Sequence, residues 1–396
     1  MQTIKFFTLG CKVNQYETQA IREHFLKKGF TEISNGLAAD VYVINTCTVT
    51  HKADAESFNL IRRFRRQNPK AKIIVTGCLT KLDSNKILAL SPGISVIKDK
   101  TKIMSKTVCD FKGRTRAFLK IQDGCNNHCS YCKVPLVRGR SKSRPLAQVI
   151  KEARLLVNKG FKEIVLTGIC LGSYGRDFKR KIELTAVIKA LEEIEGLSRI
   201  RLSSIEAGDV SDALIDLMRR SKKLCHHLHI PVQSGDDKIL KKMNRRYCRA
   251  TYLSLIKKLK KKIPDIGITT DVLVGFPGET EENFQNTVDL INEIEPLKVH
   301  IFPYSKREGT VASLNNDGLS DPYLVQERMR KLACISDECA RKFRRRFLNK
   351  KLEVLVEARK KTNPDIWHGY ASNYLRAEIK SEPDISNMIC CIKLRT

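Results

Sequence analysis

Acidic residues are scarce in this chain of 396 residues: 43 Asp and Glu stand against 73 Lys and Arg, a formal net charge of +30. That imbalance makes a large polyanion, nucleic acid first, the natural partner, with a lysine-rich composition as the plain alternative. The densest basic runs are Arg62–Arg66, Lys257–Lys262 and Arg341–Arg346. Each falls in a helix-like stretch and reads equally well as a solvated face. Also missing is any apolar run near the roughly 18 residues that a membrane span needs. The first ten residues are only briefly apolar and lack the build of a secretory leader. A cytoplasmic protein with no membrane partner is the expectation. There, 14 cysteines read as reduced thiols or metal ligands rather than disulfides. Aromatics are 7 % but apolar residues reach 42 %, enough for a globular protein. The length exceeds one ordinary core, so two or three domains are expected.

A further absence is local. Cys125, Cys129 and Cys132 form a C-x3-C-x2-C run with no fourth cysteine close behind. At this cysteine content, chance produces such a run in roughly one or two chains per hundred. Three thiolates can hold three irons of a [4Fe-4S] cluster, whose usual ligand set is four cysteines. The fourth iron is then open to an outside ligand, an arrangement suited to chemistry more than to electron storage.

The chain as a whole reads as α/β. Apolar strands at Lys5–Leu9, Ala39–Asn45 and Ala71–Thr76 alternate with helices at Asn14–Gly29 and Ala53–Gln67, which predicts a parallel sheet. A cysteine follows each strand: Cys11, Cys47 and Cys78, spaced 36 and 31 residues apart. The carboxyl ends of parallel strands share one rim, where ligands bind. Each cysteine alone is also a common small buried residue, but all three in one topological slot point to a second three-cysteine cluster.

From about Arg116 a second array begins. Strands are predicted at Ala117–Gln122, Glu163–Thr167, Arg199–Ser204, His227–Val232, Ile268–Val274 and Lys298–Phe302. Helices are predicted at Leu146–Asn158, Ile182–Glu195, Asp212–Ser221, Thr251–Lys262 and Thr280–Glu293. Six units are too few for the closed eight-fold barrel and fit an open, incomplete (β/α)6 barrel, with the Cys125–Cys132 run at its active rim. From about Asn349 the pattern changes to three candidate strands, Leu352–Glu357, Tyr374–Ile379 and Met388–Leu394, which suggest a short β-barrel-like appendage. The expected division is therefore 1–112, 113–348 and 349–396.

At Cys125–Cys132 the chain resembles the radical S-adenosylmethionine (SAM) enzymes. The contexts of Cys11, Cys47 and Cys78 narrow the resemblance to the methylthiotransferases. Further matches are Leu166–Ile169, Ser203–Ala207, His229–Gly235, Asp271–Thr280 and Phe302–Arg307. The wording Thr8–Glu17 with Val43–Thr50 is most similar to the MtaB-type subgroup, which converts N6-threonylcarbamoyladenosine beside the tRNA anticodon to its 2-methylthio form. The resemblance implies two [4Fe-4S] clusters, an auxiliary one on Cys11, Cys47 and Cys78 and a SAM-cleaving one on Cys125, Cys129 and Cys132. It also implies that SAM serves both as radical source and as methyl donor. Tyr131 matches an aromatic position, or simply packs over the loop. Gly168, Ser203, Ser204, Glu206 and the Gly275–Gly278 turn fall where the family meets the cofactor, and the glycines read equally as tight turns.

The last 48 residues resemble a shortened TRAM domain that grips RNA. Implied partners are the tRNA anticodon stem-loop, a flavodoxin or ferredoxin reductant and a sulfur donor. The chain departs from the family at Cys170, where a histidine is expected at or near that position; it reads as a neutral substitution near the cofactor. His226, His227 and His229 read as strand packing and surface rather than ligands, for lack of suitable partners. Two other substrates stay open within the class, isopentenyladenosine in tRNA and a ribosomal-protein aspartate. Outside it stands a non-catalytic iron–sulfur protein that binds RNA or carries electrons. A basic residue inside the pocket is expected to recognise the threonylcarbamoyl carboxylate, and the sequence does not say which one.

Overall fold

The computed structural model describes residues 2–33, 36–111, 113–314, 318 and 320–394. Residue 112, where the first boundary is expected, lies outside this set. The amino-terminal strands are β1 (Thr3–Thr8), β2 (Thr31–Glu32), β3 (Val41–Thr46), β4 (Lys72–Gly77) and β5 (Ile94–Ile97). They form one parallel sheet in the order β2-β1-β3-β4-β5. Strand β3 is buried along its whole length, as a parallel strand covered on both faces must be. Helices α1 (Lys12–Lys27) and α2 (His51–Gln67) cross over between strands. Tyr42 stacks on Phe64 of α2 with ring centroids 4.5 Å apart. Helix α1 starts two residues before the predicted Asn14, which puts Cys11 at its N-cap.

The second array begins at β6 (Arg116–Lys120). The two-residue strands β7 (Gln122–Asp123) and β8 (Lys142–Ser143) pair antiparallel and clip together the base of the loop that carries Cys125, Cys129 and Cys132. Strands β9 (Glu163–Thr167) and β10 (Arg199–Leu202) complete a parallel sheet with β6. Strands β11 (His227–His229), β12 (Gly267–Val274) and β13 (Lys298–Pro303) form a second one. Bridges Ile200↔Leu224 and Ser204↔His229 link the two, so six parallel strands follow one another in chain order. The five predicted helices all form, the longest of them at Arg249–Lys262 and Glu281–Ile294. A 24-residue helix, Pro322–Arg345, of which the sequence suggests only the basic end, packs along β13, where Ser336 accepts from the Val299 amide.

The carboxyl-terminal segment differs from the expected three-stranded barrel. It has four strands, β14 (Lys351–Lys360), β15 (Asn363–Ala371), β16 (Arg376–Lys380) and β17 (Ile389–Lys393), in an antiparallel sheet ordered β16-β15-β14-β17. Its edges stay apart, leaving a cleft lined by Arg344, Arg376, Lys380 and Lys393. The sheet closes the amino-terminal mouth of the six-stranded array. Arg199 donates to the carbonyls of Tyr370 and Glu353, and Arg201 to those of Ser372 and Ala371. Tyr374 stacks on His227 at 4.5 Å and lies under the guanidinium of Arg201. Tyr374 holds φ at +69°, a left-handed conformation that costs a bulky residue about 1 kcal/mol or more. This docking offsets it.

The basic runs are largely committed within the fold. Lys257, Lys258 and Lys262 pair with Glu293, Asp212 and Asp216, and Arg65 donates to the carbonyls of Pro69, Ala71 and Pro92. Among the described residues no helix is long and apolar enough to cross a membrane.

Candidate active site

The cysteine loop after β6 is shaped by backbone constraints. Gly124 has φ +70°, and a Cβ there would lie 2.1 Å from the Arg140 carbonyl oxygen. A side chain therefore cannot be fitted without moving the loop. Gly124→Ala is expected to cost about 1–3 kcal/mol and to lower the iron that the loop can hold. Urea unfolding and iron analysis of the variant check both.

Each sulfur of the loop receives one N–H donor. Asn127 N donates to Cys125 Sγ at 3.3 Å, Val134 N to Cys132 Sγ at 3.4 Å and the Arg245 guanidinium to Cys129 Sγ at 3.4 Å. Such donors favour the thiolate, the form that binds metal. A Cys170 hydrogen bond, outweighing burial, brings the Cys125 thiol below its ordinary value. Burial pushes Cys132 up to about 12 and raises Cys129, with Arg245 opposing the latter. Among the described residues no three His, Cys, Asp or Glu side chains could share a single metal ion. A cluster takes each thiolate on a separate iron, and three cysteines on one loop, each with its own N–H donor, are a ligand set of that chemistry.

Around the loop the structure gathers several of the residues singled out above. Tyr131 packs with Ile239, Met243, Phe276 and Ala312, and burial raises its hydroxyl well above the usual range. Glu206 pairs with Arg245; burial raises its carboxyl and Arg245 opposes. Both line a pocket of about 280 Å³ with Cys129, Asn127, Asp209 and Tyr247. Gly168 leaves room for Gln122, whose Oε1 would stand 2.8 Å from a Cβ. Gln122 in turn donates to the Gly124 carbonyl and accepts from the Cys170 amide. Cys170 lies beside the loop, its sulfur 3.9 Å from Asn127 Nδ2 and 3.7 Å from Asp209. Ser204 sits in the bridge to His229. Gly275 precedes Phe276 of the group around Tyr131, and the space for a side chain on it is filled by Val325 of the long helix, 2.5 Å away.

The three amino-terminal cysteines are brought to one rim. Asn14 donates to the carbonyls of Leu9 (2.7 Å) and Thr46 (3.0 Å), tying the strand ends that precede Cys11 and Cys47. The Cys78 amide donates to Thr46 O at 3.0 Å. At Gly10 a Cβ would lie 2.8 Å from Cys47 Sγ. Burial pushes Cys47 up to about 11, and the nearby Cys78 and Cys11 add to the rise. Burial also raises Cys78, with Arg138 and Lys100 opposing.

A buried charge network, which sequence reasoning missed, joins the two cysteine groups. Glu17 of α1 accepts from Lys100, from Lys120 at 3.1 Å and from Arg138 at 3.1 Å. Arg138 also reaches Asp123, at 2.8 Å, and Asn14. Asp123 precedes the Cys125 loop, and Asn14 holds the Cys11 and Cys47 ends.

The interior of the six-stranded array is polar. His229 hydrogen-bonds Thr269 and pairs with Asp271 at 3.1 Å, with the His300 ring 5.5 Å away. His227 also bonds Thr269, and His226 pairs with Asp265. The three histidines thus pack and pair within the protein, and none of them lies on the exposed surface. Lys12, at the start of α1, lies within reach of charges from this interior. Burial lowers its ammonium to about 8, with the charges of Arg116 and Arg201 adding and Glu163 opposing.

Residues 119–291 match the model of the Radical SAM superfamily, and residues 3–98 match that of Uncharacterized protein family UPF0004. The fold is similar to the radical S-adenosylmethionine methyltransferase TsrM from Kitasatospora setae. The TM-score is 0.54 at 13 % identity, over 76 % of this chain and 75 % of that one. The α/β fold with its cysteine loop is that of a radical SAM enzyme, a class that implies SAM and a [4Fe-4S] cluster. Full-length relatives refine the class. The chain is 41 % identical, over all of its length and 94 % of theirs, to the threonylcarbamoyladenosine tRNA methylthiotransferase MtaB of Bacillus subtilis (strain 168). It is 37 % identical to the Thermotoga maritima protein of that name, over 90 % of this chain and 87 % of that one. It is also 35 % identical to a tRNA-2-methylthio-N(6)-dimethylallyladenosine synthase of Alkaliphilus oremlandii, over 90 % and 82 %. The chain belongs to the radical SAM tRNA methylthiotransferase family.

Proposed function

We propose that this enzyme methylthiolates C2 of N6-threonylcarbamoyladenosine at position 37 of tRNA, giving 2-methylthio-N6-threonylcarbamoyladenosine. The observation that carries the reading is the pairing of two three-cysteine rims through Glu17 and Arg138, in a chain whose MtaB relatives match it along nearly its whole length. Cys125, Cys129 and Cys132 hold one [4Fe-4S] cluster, and Cys11, Cys47 and Cys78 hold a second. When bound, the clusters and SAM supply the hydrogen abstraction, sulfur and methyl group that acid–base side chains cannot provide at an unactivated ring carbon. The protein's own part is placement. Arg245 donates to Cys129 and fixes Glu206 at the pocket wall. Gln122 ties the loop to Gly168 and Cys170. Tyr131 and Tyr247 stand beside the loop, and burial raises the hydroxyl of each.

The division follows residues 1–112, 113–348 and 349–396: an auxiliary-cluster domain, an incomplete (β/α)6 barrel and a short TRAM-like domain. The Arg344, Arg376, Lys380 and Lys393 cleft is suited to phosphate contacts, which makes binding salt-dependent. The base swings out of the anticodon loop to reach the rim. A flavodoxin or ferredoxin supplies electrons, a separate donor supplies sulfur, and the reaction takes place in the cytoplasm. Nucleoside mass spectrometry of tRNA from cells lacking the gene tests the assignment. Loss of 2-methylthio-N6-threonylcarbamoyladenosine, restored by the gene, is expected. Loss of the 2-methylthio isopentenyl nucleoside instead would assign the substrate that the Alkaliphilus relative's name carries.

A further inference from the structure

We propose that Lys12 is the residue that recognises the carboxylate on the substrate's N6 group, and so sets which modified adenosine this enzyme accepts. The inference rests on the tRNA reading above and deepens it.

Lys12 follows Cys11 directly and opens α1. It is exposed to solvent at the start of that helix, and the charges acting on it include Arg116, Glu163 and Arg201 of β6, β9 and β10. Its charge reaches His227 on β11 and His300 on β13, which places it over the lumen. The other lysines at this junction, Lys100 and Lys120, are both paired with Glu17. Lys12 has neither a hydrogen bond nor an ion pair among the described residues.

The surrounding charges leave it nothing to pair with. Arg201 holds Glu163 at 2.6 Å, and the same carboxylate lies 4.0 Å from Arg116 and 3.8 Å from Arg199. Arg116 takes Glu357 at 2.6 Å, and Asp271 is taken by His229 at 3.1 Å. Three guanidiniums therefore share Glu163 and Glu357, and the Lys12 ammonium is left over. A lumen with surplus positive charge, one ammonium of it unpaired and reachable, calls for an anion.

The chemistry of the base fits the position. On an adenine, C2 and the N6 substituent flank N1 on one edge. A side chain one residue from Cys11 can therefore hold the N6 group while C2 faces the cysteine rim. A threonylcarbamoyl group brings a carboxylate, which an ammonium meets with a charge-assisted hydrogen bond. An isopentenyl group brings hydrocarbon, which would bury Lys12 without compensation. One residue thereby separates the two substrate classes that the relatives' names carry.

The test uses reconstituted enzyme and four synthetic anticodon stem-loops. They carry N6-threonylcarbamoyladenosine, its carboxyl methyl ester, N6-isopentenyladenosine or unmodified adenosine. Wild-type protein is expected to bind the free acid roughly 10- to 100-fold more tightly than the ester, the value of one hydrogen bond to a charged group. Lys12→Met is expected to bind acid and ester alike, with affinity for the unmodified loop, iron content and thermal midpoint unchanged. Lys12→Gln is a second variant should the first fold poorly. If the variants keep the wild-type preference for the acid, the role of Lys12 is refuted while the substrate assignment stands. If wild-type protein itself ignores the difference and converts an isopentenyladenosine loop, the substrate assignment falls, and the role of Lys12 falls with it.

Discussion

A Cys47→Ala protein is expected to fold, bind tRNA and make no methylthiolated product. Cys47 is buried, 6 % exposed, at the end of β3, and Ala is close to it in size, so the change in stability is about 1 kcal/mol or less. What is lost is a thiolate that no neighbour replaces: besides Cys11 and Cys78, the surroundings of Cys47 are the Gly10 turn and the α2 N-terminus. Iron counting separates the two rims. Reconstituted wild-type protein should hold about eight irons. The triple replacement of Cys11, Cys47 and Cys78 by Ala should hold about four, as should the triple replacement of Cys125, Cys129 and Cys132. Both lose all product. Full product from Cys47→Ala would end the auxiliary-cluster assignment, and about four irons on wild-type protein would leave a single-cluster enzyme.

Glu17→Gln is expected to destabilise the protein by about 3–5 kcal/mol, the usual effect of removing one partner from a buried ionic group. Glu17 is 1 % exposed and faces Lys100, Lys120 and Arg138, so the variant leaves three cations with Asp123 alone among nearby carboxylates. The same residue sets a pH dependence. Burial pushes its carboxyl up, but Lys100, Lys120 and Arg138 together outweigh that and hold it well below the ordinary range. A carboxyl lowered in the folded state contributes its full stability above the unfolded value of about 4.3 and loses it as pH falls through the folded value. Urea midpoints measured from pH 6 down to pH 3 should therefore fall for wild-type protein and fall less for Glu17→Gln. Equal stability of the two proteins at pH 7 would show that the network carries no net energy. Because Arg138 also holds Asn14 and Asp123, the variant should lose iron from both rims, not one.

The parallel strands were legible because burial on both faces writes them as apolar runs, Tyr42–Ile44 and Ile164–Leu166 being plain cases. Strand β15 was not, because Pro364, Asp365, His368 and Gly369 break its pattern; only Trp367, Gly369 and Ala371 turn inward. The cysteines could be read from spacing and from their place after strands. Their supports could not. Glu17 and Arg138 are 121 residues apart, and Arg245 meets Cys129 across 116. Neither pair leaves a local pattern, and a lysine such as Lys12 looks like any other in a chain with 73 basic residues. The isolation of Lys12 becomes visible when every neighbouring carboxylate is seen to be taken.

The docking of the carboxyl-terminal sheet changes how that sheet is to be regarded. Tyr374, seated on His227 beneath Arg201, makes the six-stranded array a flask with a stopper in its floor, leaving the neck at the cysteine rims for traffic. A chain cut after residue 348 would lose more than a four-stranded sheet. It would become a pipe open at both ends, and Arg199 and Arg201 would lose the carbonyls they now hold. Under the proposed reading, a tRNA base entering the neck would be the remaining wall of the reaction vessel.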